Sequence, residues 1–282
     1  MQIHESSVTA NGLKLGVLTC GDNGPLALCL HGFPDSAHTF RHLLPKLADA
    51  GFRAVAPWLR GYDPSDIPSN GDFSINALAT DTNALHEALN GDRDAVLIGH
   101  DWGAMTSYVA GAVAPDRWRR LVTMAVPPPK TAAGAFLNYR QLKRSFYIFL
   151  FQTGLAPVVG MNDLAFIDGL WSDWSPGYDA GADLPEVKKA LRNPDNLMAA
   201  IGYYRAMFDA QGTPSTAAHQ QPTLYLHGDN DGAFGVEGVA GAEAELPAGS
   251  RVEIVSGTGH FLHLEKPEDV NRLIVDWITA SS

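Results

Sequence analysis

Cysteine is scarce in this chain: two residues in 282, Cys20 and Cys29, both among apolar neighbours. That excludes a disulfide scaffold and a Cys-based zinc site, and it fits a reducing cytoplasm. Charge is also sparse, at 18% of residues, and positive charge more so, with 20 Lys and Arg against 31 Asp and Glu for a net −11. Such a surface is not one that a nucleic acid or an anionic membrane would seek. The uncharged stretch 145–162 is interrupted by Gln152-Thr153-Gly154 and by Pro157. It therefore reads as a buried or cleft-lining helix followed by a loop rather than a membrane span. The opening Met1–Ser6 has no basic segment ahead of an apolar one, so no secretory leader is expected. What the chain does have is apolar content, 45%, enough for a substantial core.

Those apolar residues fall into short runs that alternate with helical spacing. Leu13 to Thr19, Leu26 to Leu30, Arg53 to Ala56, Ala95 to Ile98 and Leu121 to Val126 read as strands. His42 to Leu47, Ile75 to Leu89 and Ala104 to Ala114 read as the intervening helices. Continuously apolar strands alternating with helices indicate a mostly parallel sheet flanked by helices, an α/β class. The pattern breaks at Pro127-Pro128-Pro129 and resumes at Thr223 to Leu226, continuing through Val252 to Val255 and a last helix from Val270 to Thr279. The expected organisation is a discontinuous core, 1–127 and 219–282, with a helical cap inserted at 128–218. The cap holds five of the eight tyrosines.

The sharpest chemical signal is Gly99-His100-Asp101-Trp102-Gly103, directly after a strand and directly before a helix. It fits a Gly-x-nucleophile-x-Gly elbow, in which a tight strand-to-helix turn exposes the central side chain and needs small residues on both flanks. Alone, an Asp before a helix is ordinarily an N-cap. Three further strand ends change that reading. His31-Gly32-Phe33-Pro34 stands where a loop could give the Phe33 N–H to an oxyanion, with the N–H of Trp102 as second donor. Leu226-His227-Gly228-Asp229-Asn230-Asp231 ends a strand with an acid, and distance from the strand favours Asp231 over Asp229. Gly257-Thr258-Gly259-His260 supplies a histidine after the last strand. Nucleophile, acid and histidine thus occur in the order Asp101, Asp231, His260. His31, His100 and His227 read as hydrogen-bonded core residues, and His263 as structural or cap-facing. His260 and His263 form a His-x-x-His pair, but no carboxylate or cysteine cluster beside it in the sequence suggests a metal, and no cofactor is expected.

On these residues the chain resembles the α/β-hydrolase superfamily, and within it the epoxide hydrolases, over essentially its whole length. The shared elements are His31-Gly32-Phe33-Pro34-Asp35-Ser36, Gly99 to Gly103, Asp231 and Gly259-His260-Phe261. The resemblance implies two cap tyrosines. Tyr147-Ile148-Phe149-Leu150-Phe151-Gln152 is similar to the first tyrosine segment, although Thr153-Gly154 stands where Glu-Pro is usual. Tyr203-Tyr204-Arg205 is similar to the second and points to Tyr204, with Tyr203 as the alternative. Tyr139 and Tyr178 are read as packing residues. The resemblance also implies a cis Phe33–Pro34 bond.

The chemistry agrees with an aspartate at the elbow. A carboxylate with a reference pKa near ~4 is ionised at neutral pH and can attack a saturated carbon to give an alkyl ester. An epoxide leaves as a poor alkoxide and gains from a phenolic proton donor, whereas a halide does not. The expected cycle has Asp101 open an apolar epoxide held by Tyr147 and Tyr204. A water activated by His260 and Asp231 then hydrolyses the ester to a vicinal diol. Phe146, Phe149, Phe151, Trp171, Trp174 and Phe208 suggest an apolar cleft. Two other readings stand beside this one. A haloalkane dehalogenase would use the same triad, with Trp171 or Trp174 offering a second halide-facing N–H, although Phe33 stands where many such enzymes carry Asn. A non-catalytic ligand receptor on a hydrolase fold is the other. Monomer and homodimer are both compatible with the sequence.

Overall fold

A computed structural model describes residues 1–209 and 218–280. Eight strands are present: β1 His4–Ala10, β2 Leu13–Cys20, β3 Leu26–Leu30, β4 Arg53–Pro57, β5 Val96–His100, β6 Arg120–Met124, β7 Thr223–Gly228 and β8 Arg251–Val255. They form one sheet in the order β1-β2-β4-β3-β5-β6-β7-β8. β1 and β2 pair antiparallel, as do β2 and β4; every other pair is parallel. β3, β5 and β6 are buried at every position, so they read in the sequence as mostly apolar runs, broken by Arg120 and Thr123 in β6 and by His100 at the end of β5. β1 was not foreseen from the sequence: its residues, HESSVTA, are polar and largely exposed, and its pairing to β2 makes it a strand.

The sheet is covered on both faces. Helices α1 Leu43–Asp49, α2 Ile75–Ala88 and α3 Trp102–Val113 follow in chain order. Between β6 and β7 come α4 Pro129–Phe136, α5 Tyr139–Arg144, α6 Phe146–Phe151, α7 Met161–Trp174, α8 Leu184–Leu191 and α9 Pro194–Ala206. After β7 come α10 Ala242–Glu245, α11 Leu262–Glu265 and α12 Pro267–Thr279. α1 packs with α12 and α2 with α3, giving two helical layers. Among the described residues the segment between β6 and β7 carries no strand; residues 210–217, placed by the sequence in the cap, lie outside the description. The uncharged stretch expected as one helix and a loop is instead two short pieces, α6 and a 3-10 turn Ala156–Gly160, because Gln152 to Leu155 turns the chain between them. Among the described residues, no helix is long and apolar enough to cross a membrane.

Strand order reverses between β3 and β5. From β3 the chain moves outward to β4, then crosses back through α2 to β5 on the other side of β3. A crevice opens at such a switch point, beyond the carboxyl ends of the strands. His31, Asp101, Asp231 and His260 all follow the carboxyl ends of strands on this side of the sheet.

The elbow between β5 and α3 makes the tightest demand on sequence. A Cβ on Gly103 would lie 1.9 Å from the Leu30 carbonyl oxygen, and one on Gly99 would lie 2.1 Å from that of Gly103. Both obstacles are backbone, with no side chain to swing away. Gly103→Ala should therefore lower unfolding free energy by about 3 kcal/mol, whereas Gly134→Ala, in α4 with open space around it, should raise it by up to about 1 kcal/mol. Urea denaturation of the two variants checks this; equal stabilities would contradict the packing described.

Candidate active site

Asp101 occupies the turn from β5 into α3 with φ 53° and ψ −116°, a region that side-chain-bearing residues seldom enter. A backbone held there costs roughly 1–3 kcal/mol and persists only where its surroundings fix it. The surroundings here are specific. The Asp101 N–H donates to the Met124 carbonyl at 3.1 Å, and the Ala104 N–H donates to the Asp101 carbonyl at 2.9 Å. A Cβ on Gly32 would lie 2.3 Å from Asp101 Oδ1, so the loop after β3 can close on the carboxylate only as glycine. That approach lets the Phe33 N–H donate to Asp101 Oδ1 at 2.8 Å. The Phe33–Pro34 bond is cis, as the family resemblance implies.

Around this carboxylate the sequence-expected residues come together. His260 Nε2 lies 3.8 Å from Asp101 Oδ2, and His260 Nδ1 lies 3.0 Å from Asp231 Oδ2. Asp231 Oδ1 accepts from the N–H groups of Ala233 at 2.7 Å and Phe234 at 2.9 Å, which fixes the carboxylate and leaves its other oxygen for His260. Asp229 is exposed and accepts from the Gly257 N–H, a turn residue as its spacing suggested. Burial raises the Asp101 carboxyl pKa, opposed by His260 and by the N–H groups of Phe33 and Trp102. Burial alone would lower His260, but Asp231 and then Asp101 outweigh it, so the imidazole is raised above its ordinary value.

Three groups hold His260 that no sequence motif announces. The Trp174 carbonyl accepts from the N–H groups of both His260 and Gly232, at 3.0 Å each. The Ser175 hydroxyl donates to Glu265 Oε1 at 2.7 Å, and the same carboxylate accepts the Gly259 N–H. Because the first of these is a backbone carbonyl, residue identity carries no signal for it.

Tyr147, on α6, and Tyr204, on α9, pack beside this cluster, Tyr147 against Trp174, which itself packs on His260, and Tyr204 against Phe33 and Trp102. Their rings meet edge to face at 5.6 Å, and the Tyr204 ring also abuts Phe33, Trp102 and Phe151 at 5.1–5.2 Å. The two tyrosine segments clasp each other: Gln152 Nε2 donates to the Tyr204 carbonyl at 3.0 Å, and Arg205 Nε donates to the Phe151 carbonyl at 2.9 Å. Burial raises both phenols, and the Asp101 charge adds to it, so both keep their protons. The Tyr204 hydroxyl and His260 Nε2 are buried without a hydrogen-bond partner among the described residues. Tyr203 is different: its hydroxyl donates to the Arg60 carbonyl at 2.6 Å and its ring packs on Trp102 and Tyr62.

Some expectations need correction. Tyr139 is 80% exposed at the start of a short surface helix rather than packed. Tyr178 is half-buried, with its hydroxyl donating to Asp183. Of the aromatics expected in an apolar cleft, Phe151 and Trp174 do flank Tyr147, at 5.6 and 5.1 Å. Phe146, Phe149 and Phe208 are largely exposed. The Trp171 indole N–H is taken up by the Pro34 carbonyl at 2.8 Å. His31, His100 and His227 are buried and hydrogen-bonded, as expected of core residues. The His260-x-x-His263 pair is split: His260 faces Asp101, whereas His263 bonds Thr39 at 2.6 Å. Both cysteines are buried and free.

This arrangement has counterparts in known proteins. Residues 25–267 match the family model of the alpha/beta hydrolase fold. The chain is 30% identical over 279 residues to the AB hydrolase superfamily protein YfhM of Bacillus subtilis, covering 96% of each. It is 30% identical over 281 residues to epoxide hydrolase 3 of Xenopus tropicalis, covering 95% of this chain and 75% of that one. It also superposes on the crystal structure of a Bacillus megaterium epoxide hydrolase mutant complexed with its product, (R)-3-[1]naphthyloxy-propane-1,2-diol. There the TM-score is 0.86 with 26% identity, over 98% of this chain and all of that one. The chain belongs to the epoxide hydrolase family of the α/β-hydrolase superfamily.

The different surroundings of the adjacent tyrosines have a measurable consequence. Tyr203→Phe removes a buried hydrogen bond and leaves the Arg60 carbonyl without its donor, which should destabilise by about 1–3 kcal/mol. Tyr204→Phe removes a buried hydroxyl with no partner and should leave stability unchanged or slightly raised. Chemical denaturation distinguishes them; a larger loss at Tyr204 than at Tyr203 would overturn the assignment of partners.

Proposed function

We propose that this protein is an epoxide hydrolase that converts an apolar epoxide into a vicinal diol through an ester on Asp101. The single observation that carries the reading is a buried carboxylate, Asp101, with its own histidine and backbone donor, beside the buried rings of Tyr147 and Tyr204, which pack on Trp174, Phe33 and Trp102.

In the first half-reaction an Asp101 carboxylate oxygen attacks one ring carbon. The carbon–oxygen bond breaks toward the ring oxygen, and the tyrosine hydroxyls hydrogen-bond and protonate it as it becomes an alkoxide. Ester formation has an electrostatic consequence. Asp101 is one of the carboxylates that raise His260, and esterification removes its charge. His260 then holds its own proton less tightly and can accept one from water. Asp231 keeps the imidazole oriented and stabilises its charge as it does so. The water adds to the Asp101 ester carbonyl, and the N–H groups of Phe33 and Trp102 face the resulting oxyanion, a kind of donor worth roughly 3–4 kcal/mol. Collapse breaks the ester bond; the departing alkoxide takes the proton held by His260 and the second proton of the water returns to the tyrosinate, which releases the diol and restores the carboxylate, the imidazole and the phenol. Segment 128–218 serves as the cap, supplying both phenols and Trp174 from outside the core at 1–127 and 219–282.

The substrate class follows from the lining. Phe33, Trp102, Phe151 and Trp174 surround the phenols, which suits an aromatic or medium aliphatic epoxide better than a charged one. The diol bound to the Bacillus megaterium relative is of that kind. A dehalogenase would need a second halide-facing donor, and the Trp171 N–H is already bonded to the Pro34 carbonyl.

Racemic styrene oxide run beside 1-bromobutane tests the proposal. Diol should form from the epoxide and be abolished by Asp101→Asn. Tyr147→Phe and Tyr204→Phe should each slow it by roughly 10²-fold, and the double variant further. Bromide release without diol would transfer the reading to a dehalogenase, and full turnover by the double tyrosine variant would remove the phenols from the mechanism.

A further inference from the structure

His100 separates His260 from a second cluster that the reaction above does not use. Asp35, His100 and His263 are all essentially buried. One ligand atom from each lies within 4.8 Å of those of the other two, with 3.9 Å between Asp35 Oδ2 and His100 Nδ1. Asp35 Oδ2, His100 Nδ1 and His263 Nδ1 have no hydrogen-bond partner among the described residues. Three orphaned polar atoms converging in one protein interior call for an explanation, since each unsatisfied buried group costs about 1–3 kcal/mol.

Tautomer reasoning says what kind of atoms they are. His100 Nε2 lies 3.0 Å from the His260 carbonyl, which can only accept, so the proton is on Nε2 and His100 Nδ1 is a lone pair. His263 Nε2 lies 2.6 Å from Thr39 Oγ1. With its proton on Nε2, donated to the Thr39 hydroxyl, His263 has a lone pair on Nδ1 as well. Asp35 Oδ1 accepts the Ser36 N–H at 2.7 Å, leaving Oδ2 as a third acceptor. With Asp35 ionised and the histidines in these tautomers, three acceptors face one another with no donor between them.

We infer that Asp35, His100 and His263 form a binding site for a single divalent cation of the zinc type, one imidazole away from His260. A cation satisfies all three acceptors at once, where a water has two protons to give. The ligand set, two neutral imidazoles and a carboxylate, suits zinc and its neighbours. His100 donates its other N–H to the His260 carbonyl, and the other ring nitrogen of His263 stands against the Thr39 hydroxyl, the outer arrangement that orients metal-bound histidines. Burial, then neighbouring histidines, holds His100 and His263 neutral, His263 at about 3, as ligation requires. Burial also pushes Asp35 up to about 8, so near neutral pH the cation displaces its proton on binding.

Filling the site has an effect on turnover, and this part rests on the role of His260 as base. The ring centroids of His100 and His260 are 4.7 Å apart, so a dication bound to His100 opposes the positive charge that His260 must acquire. Bound zinc slows ester hydrolysis.

The test is equilibrium dialysis of the intact protein against zinc chloride, extended because the ligands are buried, with metal counted by elemental analysis. His263→Phe keeps a ring stacked on Phe40 while removing a ligand, and Asp35→Asn keeps volume while removing charge, so one variant suffices if the other does not fold. One zinc per chain is expected, held at least tenfold more weakly in either variant. Zinc binding that is equal in all three proteins, or absent from the parent, overturns the site. In parallel, styrene oxide turnover by the parent should fall as the site fills, while His263→Phe stays insensitive. Stoichiometric binding with unchanged turnover would keep the site and overturn its coupling to His260.

Discussion

A carboxylate buried at the end of β5 is the constraint on which the rest of this protein depends. Burial makes ionised Asp101 expensive, and three kinds of contact compensate: the Phe33 and Trp102 N–H groups, the His260 imidazole, and the turn into α3. Each places demands elsewhere. The Phe33 N–H reaches the carboxylate because Gly32 lets the loop after β3 approach closely. The turn requires glycine at 99 and 103, because carbonyl groups stand where a Cβ would go. His260 requires Asp231, which is itself fixed by two backbone donors. The same contacts that make the buried charge tolerable also fix where the carboxylate stands, so in the proposed reaction stability and reactivity would share one set of residues.

The segment between β6 and β7 is tied to this centre by polar anchors and stacked rings. Trp171 donates to the Pro34 carbonyl and stacks on Phe261 at 3.6 Å. The Trp174 carbonyl accepts from His260 and Gly232, so the end of α7 holds the base loop directly. Gln152 and Arg205 clasp α6 to α9 and thereby fix the tyrosines relative to each other. Displacing α7 would therefore disturb the histidine as well as the lid above it, which ties cap position to triad geometry.

Much of this was legible in the sequence, for identifiable reasons. Parallel strands buried on both faces leave mostly apolar runs, and β3, β5 and β6 were read from them. The elbow was legible because its steric demand falls on two glycines at fixed offsets from Asp101. Asp231 was favoured over Asp229 on spacing, and the exposed Asp229 indeed serves a turn. β1 is polar and went unread although β2, its partner, follows across the two residues Asn11-Gly12. The other illegible parts depend on partners distant in the chain. Tyr203 and Tyr204 are adjacent and chemically identical, and the Arg60 carbonyl distinguishes them. Nothing local to His263 indicates that it converges with Asp35, in the loop after β3, and with His100, at the end of β5.

The central claim is a covalent ester on Asp101, and oxygen tracing tests it most directly. With enzyme in excess over styrene oxide, one turnover in ¹⁸O-water should give a diol whose new hydroxyl is unlabelled, with the heavy oxygen recovered in the peptide containing Asp101. A labelled diol and an unlabelled Asp101 peptide would mean that water attacks the epoxide directly, and the account of this carboxylate as nucleophile would fail.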